Sequence, residues 1–306
     1  MELRVLQYFL AVAREQSISG AAASLHLSQP TLSTQLKALE EELGKQLLIR
    51  GTKGSRKVLL TEEGMLLRKR AEEILELVQM TEREISLSDE VVAGDVYIGA
   101  GESDMIRLFA RAAKQLQAKY PDIHYHMRSG NAAFVQDYLD RGLIDFGVVY
   151  GPVDTSIYSS VKVPVHDTWG VLMRKDAPLA EKEQIQPQDL WDKPLIVSAQ
   201  KADNWSLTKW FERDYAKLNI VATYNLVFNA SLMVEEGLGY ALCFDQLINV
   251  SGDSPLCFRP LSPPMRSEAS IIWKRYQVFS KASECFLEQL KGLLTDQETE
   301  NSPETV

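Results

Sequence analysis

Residues 17–40 read SISGAAASLHLSQPTLSTQLKALE and predict two short helices joined by a tight link. The small alanines at 21–23 suit the first helix, because they allow a second helix to cross closely. Ser28 is a good N-cap for the second helix, and Pro30 falls in its first turn, where the missing N–H costs nothing. Leucines then recur at helical spacing and predict one buried face: Leu32, Leu36, Leu39 and Leu43.

The opposite face of the second helix is polar and carries no acid before Glu40: Gln29, Thr31, Ser33, Thr34, Gln35 and Lys37. Amides and hydroxyls of this kind can bond to base edges and phosphates when a helix lies in the major groove of DNA. The alternative is an ordinary amphipathic helix whose polar face is only solvated.

A basic segment follows, with no acid among its charged residues: Lys45, Arg50, Lys53, Arg56 and Lys57. Glycines lie between these charges, and two short apolar stretches, 47–49 and 58–60, flank the turn. The pattern predicts a basic hairpin, or wing, that touches the DNA backbone beside the second helix.

Three segments of this region resemble the LysR-type transcriptional regulators: SQPTLS at 28–33, LKALEEELG at 36–44 and LLTEEG at 59–64. The match is dense within residues 1–64, whereas the remainder resembles the family by length and layout. Two positions depart from the family pattern. Thr34 stands where the family commonly has arginine, and Ile49 stands where phenylalanine is usual.

The resemblance implies an N-terminal all-α winged helix-turn-helix and a long linker helix, followed by a C-terminal α/β effector domain. That domain would have two Rossmann-like lobes resembling periplasmic binding proteins. The expected partner is the double-stranded DNA of a promoter operator. The residues predicted to contact it are Ser28, Gln29, Pro30, Thr31, Ser33, Thr34, Lys37, Arg50, Lys53 and Arg56.

Charge is distributed unevenly along the 306 residues, whose net charge is −9. Residues 1–60 hold eight Lys and Arg against five Asp and Glu, so they carry +3 and the remainder −12. This asymmetry indicates a DNA-binding head on an acidic body. No run of eighteen apolar residues and no signal peptide is found, which predicts a cytoplasmic protein. The three cysteines, Cys243, Cys257 and Cys285, are widely spaced and are read as buried thiols.

Residues 62–87 are predicted to form one long helix. Apolar side chains recur along it at alternating spacings of four and three: Leu67, Ala71, Ile74, Val78, Thr81 and Ile85. Charged flanks favour a coiled-coil seam between two chains, and a dimer would supply two recognition helices for a two-fold DNA site. The alternative is a long helix packed on its own body.

From Gly94 onward, strands and helices alternate, which predicts parallel sheets covered by helices. Expected strands are 95–100, 123–127, 145–150, 169–174, 194–198, 221–226, 240–244 and 269–273. Expected helices are 104–119, 132–141, 187–191, 203–217, 229–236 and 280–294. The resulting domains are a head (1–60), a linker helix (61–90) and an effector domain (91–296), with a disordered tail (297–306). Lobe I would comprise 91–162 and 266–296, and lobe II 163–265.

Ligands of open α/β sheets bind at the carboxyl ends of strands, near helix N-termini. The residues predicted to contact a small polar or anionic effector are Gly101, Glu102, Ser103, Arg128, Ser129, Asn131, Ala199, Gln200, Lys201, Phe228 and Asn229. The alternative is that these residues are helix caps and loop positions. Arg128 could instead form a structural pair with Asp137 or Asp145, and Glu102 would repel an acid.

No phosphate-binding loop, dinucleotide fingerprint or catalytic constellation is present, so no enzyme, cofactor or metal is predicted. His124 and His126 lie on one side of a strand, where an edge position is favoured over a metal site. The predicted function is a ligand-responsive transcription regulator that forms a homodimer or homotetramer, with RNA polymerase as a further candidate partner. Two alternatives are a cytoplasmic solute-binding protein with a helical dimerisation unit, and an α/β enzyme.

Overall fold

The computed structural model describes residues 1–51, 57–86, 92–199 and 209–300. The chain divides into an N-terminal unit, Met1–Ser88, and a C-terminal unit, Asp89–Val306. Four predicted site residues lie outside the described residues: Lys53, Arg56, Gln200 and Lys201.

The N-terminal unit is a helix-turn-helix followed by a hairpin, as predicted. Its elements are α1 (Leu3–Glu15), α2 (Ile18–Ser24), α3 (Gln29–Leu43), β1 (Leu48–Arg50), β2 (Val58–Leu60) and α4 (Glu62–Ser86). The two strands pair antiparallel, with Arg50 opposite Val58. They form the base of the predicted wing.

Local capping explains where the two helices of the motif begin and end. Ser17 accepts the backbone N–H of Gly20 at the start of α2, and Ser28 accepts that of Thr31 at the start of α3. Each bond satisfies one of the donors that a helix N-terminus leaves unpaired. Gly44 ends α3 with φ +63°, a left-handed conformation that glycine adopts without steric cost.

A buried apolar cluster holds the unit together and includes Phe9, Val12, Ala21, Leu32 and Leu36, each at most 1% exposed. Full burial of a leucine or phenylalanine side chain contributes about 1.5–3 kcal/mol. Substituting one of these residues with a polar side chain would therefore remove a large part of the stability of the unit.

The helix α4 begins against this cluster. Gly64 lies so close to Leu47 that a Cβ at this position would come within 2.2 Å of the Leu47 carbonyl oxygen. Leu67 packs on the cluster and Ala71 has no exposed surface. Leu67 is half-buried and Ala71 is fully buried, so this end of the predicted seam packs at least in part within its own chain. The dimer seam itself stays a prediction.

The C-terminal unit alternates strands and helices. Its elements are β3 (Gly94–Ala100), α5 (Ile106–Lys119), β4 (Ile123–Ser129), α6 (Ala132–Asp140), β5 (Phe146–Tyr150), β6 (Tyr158–Arg174), α7 (Pro187–Leu190), β7 (Leu195–Ser198), β8 (Ile220–Tyr224), α8 (Val227–Glu235), β9 (Tyr240–Phe244), β10 (Leu256–Pro260), β11 (Arg266–Lys274) and α9 (Lys281–Glu300).

The strands form one continuous ladder in the order β4-β3-β5-β11-β6-β9-β7-β8, with β10 paired to β6. Buried apolar clusters lie along it in two regions. In the first region α5 and α9 pack on β3 and β5, and in the second region two clusters, one of them containing α8, pack on β6, β7 and β9. We call the first region lobe I and the second lobe II. The predicted fold class, two α/β lobes, is confirmed.

Two long strands connect the lobes. Residues 158–162 of β6 pair with β11 in lobe I, whereas residues 169–172 pair with β9 in lobe II. The register between β6 and β11 shifts between Glu268 and Ser270. The cleft between the lobes lies over this crossing.

Three expectations about elements are corrected. The strand β10 was not predicted, although its pairing with β6 is regular. Residues 203–208 of the helix expected over 203–217 lie outside the described residues. The described part does not continue as a helix to 217, because Glu212 has φ +52° and Asp214 starts a separate turn by accepting the N–H of Ala216. The helix α9 continues to Glu300, whereas disorder was expected from 297.

Candidate DNA-binding surface and effector cleft

The outward face of α3 is polar along its length. Leu32, Leu36 and Leu39 turn inward and are at most 2% exposed. The exposed predicted DNA contacts on this helix are Gln29, Pro30, Thr31, Thr34 and Lys37, and Ser33 is half-buried. The helix therefore presents amide, hydroxyl and ammonium groups on one accessible surface, as a helix in the major groove requires.

Ser28 and Thr31 also have a structural role. The Ser28 hydroxyl oxygen accepts the Thr31 N–H at 3.2 Å and lies 2.6 Å from the Thr31 hydroxyl oxygen. These hydroxyls cap the helix that would enter the groove. A substitution at either position would change helix stability as well as any DNA contact.

The carboxylate of Glu40 joins α3 to the hairpin. Its Oε1 accepts the backbone N–H of Leu47 at 2.8 Å and that of Leu48 at 3.0 Å. Its Oε2 accepts from Nη2 of Arg50 at 3.0 Å. The Arg50 side chain stays 41% exposed, whereas that of Glu40 is 13% exposed. Arg50, a predicted phosphate contact, is thus held beside α3 with part of its guanidinium facing solvent.

Two adjoining cavities lie between the lobes. The larger, of about 270 Å³, is lined by Ala100, Gly101, Glu102, Ser103, Ile106, Met127, Ser129 and Leu247. The smaller, of about 50 Å³, is lined by Gly101, Glu102, Ser129, Gly130, Trp169, Ser198, Tyr224, Asn225, Leu226, Val227, Phe244 and Leu247. Four predicted effector residues are brought together here: Gly101, Glu102, Ser103 and Ser129.

The floor of the cleft holds a buried polar network. The Ser103 hydroxyl donates to Oδ2 of Asp167 at 2.7 Å and accepts the Met105 N–H at 3.0 Å. The Tyr150 hydroxyl donates to the same Asp167 oxygen at 2.5 Å. Asp167 lies on β6 and is 8% exposed. The Ser103 hydroxyl therefore ties the loop after β3 to the strand that joins the lobes.

Glu102 crosses the cleft. Its Oε2 accepts the backbone N–H of Val227, the first residue of α8. Glu102 follows β3 in lobe I, and α8 belongs to lobe II. A single carboxylate therefore bridges the two lobes at the wall of both cavities.

Other predicted effector residues lie away from the cavities. Arg128 sits between Met127 and Ser129 on β4, and because successive strand residues face opposite sides, its side chain points away from the cavity that its neighbours line. Asn131 caps α6 by accepting the Phe134 N–H at 2.9 Å. Phe228 is 61% exposed, and Asn229 beside it is exposed as well.

Ala199 follows the end of β7 and is exposed. Its backbone N–H donates to the Tyr224 carbonyl oxygen at 2.8 Å, which extends the pairing of β7 with β8. It does not line either cavity described above.

The sequence reasoning missed the aromatic wall of the cleft. Trp169 and Phe244 line the smaller cavity with ring centroids 4.6 Å apart, packed edge to face. Trp169 also donates its indole N–H to Ser267 at 2.9 Å. Trp169 begins one predicted strand and Phe244 ends another, and their position at strand termini was the available signal.

The described ranges lack two kinds of feature, a metal site and a membrane-spanning helix. They contain no group of three or more His, Cys, Asp and Glu side chains arranged to bind a metal ion. They also contain no helix that is both long and apolar enough to span a bilayer. His126 accepts or donates a 2.6 Å hydrogen bond with Asp95 and stacks on Tyr97, and its strand β4 is at the edge of the sheet.

Comparison with known families covers nearly the whole chain. Residues 3–65 match the bacterial regulatory helix-turn-helix protein, lysR family, and residues 89–295 match the LysR substrate binding domain. The chain belongs to the LysR family. It is therefore a DNA-binding transcriptional regulator whose activity responds to a small molecule bound in its α/β domain. The match to a DNA-binding head favours this function over that of a solute-binding protein.

Relatives of this LysR-type regulator match nearly all or about two thirds of its length. The HTH-type regulator YwbI of Bacillus subtilis (strain 168) is 30% identical over 299 residues, covering 97% of this chain and 98% of its own. The hydrogen peroxide-inducible genes activator of Pectobacterium carotovorum subsp. carotovorum is 30% identical over 198 residues, or 64% of each chain. Full-length CbnR complexed with its target DNA shares the fold, with a TM-score of 0.75, 18% identity and coverage of 95% and 99%.

Proposed function

We propose that the protein acts as a homo-oligomer that reads a promoter operator with α3 and the hairpin. A small molecule bound between the lobes controls this activity. In this proposal the protein has no catalytic role and works in the cytoplasm, with RNA polymerase as a downstream partner. The observation that carries the proposal is the exposed polar face of α3, which is free of acid from Gln29 to Ala38.

Roles on the DNA follow from side-chain chemistry and exposure. Gln29 can bond to an adenine edge with its amide, and the exposed Thr34 and Lys37 follow about one and two turns further along α3. Arg50 and the hairpin residues Lys53 and Arg56 are proposed to contact phosphates. Phosphate contacts position the protein, whereas the amide selects the base.

Dimerisation is proposed to use the part of α4 beyond the cluster of the N-terminal unit. Ile74 and Val78 are half-buried and Ile85 is 79% exposed. These apolar side chains lie on one side of a helix that also carries exposed charged residues, such as Arg68 and Glu72. Covering them with the same helix of a second chain would bury apolar area and present two copies of α3 to DNA.

A peroxide-sensing role, suggested by the name of one relative, is disfavoured by the cysteines. Burial raises the pKa of Cys243 to about 12, and it also raises the pKa of Cys257 and Cys285. These are the three cysteines of the chain. Since the thiolate is the form that reacts with oxidants, raised pKa values oppose peroxide chemistry. We therefore propose a non-covalent effector.

Operator binding by wild type and variants tests the proposal. The probe is the DNA upstream of the protein's own gene, and binding is measured by fluorescence anisotropy against a set of single base-pair changes. Gln29→Ala should lose about 1–3 kcal/mol at one base position and little elsewhere. Gln79→Ala is the matched control, an exposed glutamine that lies on α4 and not on α3. Unchanged base preference in Gln29→Ala would show that α3 is not used as proposed.

A further inference from the structure

The helix α8 begins without a capping side chain of its own. Its N-cap residue is Leu226, which makes no side-chain hydrogen bond. The first N–H groups of a helix lack partners within the helix, and they carry a partial positive charge that favours anions. Here the Val227 N–H is taken by the carboxylate of Glu102 from the other lobe. The place where an anionic ligand group would bind is thus filled by a group of the protein itself.

Glu102 also faces the space in which a ligand would lie. It lines both cavities, and its second oxygen, Oε1, has no hydrogen-bond partner among the described residues. Neither cavity is lined by a described lysine or arginine, and Arg128 points to the other side of β4. A ligand in the larger cavity therefore meets a carboxylate oxygen, which can accept hydrogen bonds but repels a second carboxylate.

We propose that Glu102 determines the charge class of the effector by excluding carboxylates from the N-terminus of α8. The cleft then takes an effector that is neutral or cationic where it meets Glu102 and that presents a hydrogen-bond donor to Oε1. This inference rests on the proposed function, because that function places the effector between the lobes. The sequence predicted a small effector that is polar or anionic, and the proposed role of Glu102 restricts that effector to neutral or cationic molecules.

The test uses the full-length protein and sodium succinate as the anionic probe. Binding is measured by titration calorimetry, with sodium chloride at matched ionic strength as the blank. Wild type should bind succinate weakly or not at all. Glu102→Ala exposes the Val227 N–H and removes the repelling charge, so it should bind succinate at least about tenfold more tightly, a factor equivalent to about 1.4 kcal/mol.

Asp104→Ala is the matched control. Asp104 lies two residues away and bonds to Arg107 within lobe I, so its removal changes net charge equally without opening α8. It should bind succinate like wild type. If the alanine variant folds poorly, the succinate affinity of Glu102→Gln is measured instead. Its amide oxygen can still accept the Val227 N–H, so the gain should be smaller than in Glu102→Ala but present.

Two failures can be told apart. If neither Glu102 variant gains succinate affinity over Asp104→Ala, or if wild type binds succinate equally well, the inference about Glu102 is wrong and the cleft remains the proposed effector site. The second failure is seen by adding Ser129→Phe to Glu102→Ala, since Ser129 lines both cavities. Undiminished succinate binding in that double variant places the site outside the cleft and overturns the assignment of the cleft itself.

Discussion

Glu40 in α3 and Arg50 in β1 form an ion pair with 3.0 Å between Oε2 and Nη2. The other oxygen of Glu40 accepts two backbone N–H groups at the start of the hairpin. Exposed ion pairs contribute little stability, but a carboxylate with three donors and 13% exposure differs from them. The recognition helix and the wing therefore share one fixed carboxylate, which sets the position of the wing relative to α3.

Removing that carboxylate should destabilise the head. Glu40→Ala leaves the Leu47 and Leu48 N–H groups without their acceptor, which costs about 1–3 kcal/mol for buried donors. Thermal melting of the full chain followed by circular dichroism should show an earlier transition. Glu41→Ala is the control, because Glu41 is exposed and pairs with Lys37 at 3.6 Å. Equal melting of the two variants would refute the structural role of Glu40.

Arg50→Ala should weaken binding to all DNA sequences by a similar factor. One phosphate contact is lost, so the slope of log affinity against log salt should fall by about one. Titrations at several salt concentrations, with operator and unrelated DNA, measure both effects. The control is Arg68→Ala on α4, where an exposed arginine pairs with Glu72. A loss confined to the operator would indicate base reading by Arg50 instead.

Aspartate at Ile74 and Val78 together should dissociate the oligomer. The two charges would face their symmetry mates across the proposed seam, where no partner compensates them. Sedimentation velocity should show a smaller species, and operator affinity should fall. Gln79→Asp adds a charge at an exposed position of the same helix. It should change neither the sedimentation coefficient nor the operator affinity. A double variant that sediments like wild type would rule out this seam.

Effector response should depend on Ser129 and not on Arg128. Ser129→Phe fills space in both cavities, whereas Arg128→Ala changes a side chain on the opposite face of β4. Once promoter assays identify an effector, its stabilisation of the protein in a thermal melt should vanish in the first variant and persist in the second. The reverse result would place the effector on the Arg128 side.

The cysteines should resist modification while the protein is folded. With the pKa of Cys243 raised to about 12 by burial, its thiolate is scarce at pH 8.5, where an unperturbed thiol is about half ionised. A thiol-reactive dye should label Cys243 slowly in the native protein and rapidly after denaturation. Peroxide should leave operator binding unchanged. Rapid native labelling of Cys243, or loss of binding on oxidation, would contradict the proposal of a non-covalent effector.

The sequence predicted the head well because its signals are local. Ser28, Pro30 and the leucine spacing specify α3 within a few residues of each other, and the same holds for the alternating strands of lobe I. The cleft was harder to predict, because lining residues are set by strand register and by contacts between distant segments. Arg128 and Ser129 are neighbours in sequence, yet only the pleat of β4 decides which of them faces the cavity.

Long-range bonds explain the other differences. The expectation that Glu102 would repel an acid agrees with its proposed role, but its bond to Val227 was not predicted. That bond joins positions 125 residues apart and has no signature in either segment. Leu67 and Ala71 fit the seam pattern equally well as dimer positions or as contacts with their own head. The sequence spacing of apolar residues along a helix shows which residues share a face. The partner that this face packs against depends on the rest of the fold.

The strands β6 and β11, which connect the lobes, are also the covalent attachment of lobe II to the rest of the chain. The chain enters the effector domain through β3 and leaves through α9, and both pack in the core of lobe I. Lobe II is thus an insertion between β6 and β11, with no covalent path to the linker helix except through lobe I. Within one chain, any motion of lobe II on ligand binding can be transmitted along the backbone only as a twist of these two strands. Along the backbone of one chain, a structural change in lobe II therefore has to pass through lobe I before it reaches the linker helix.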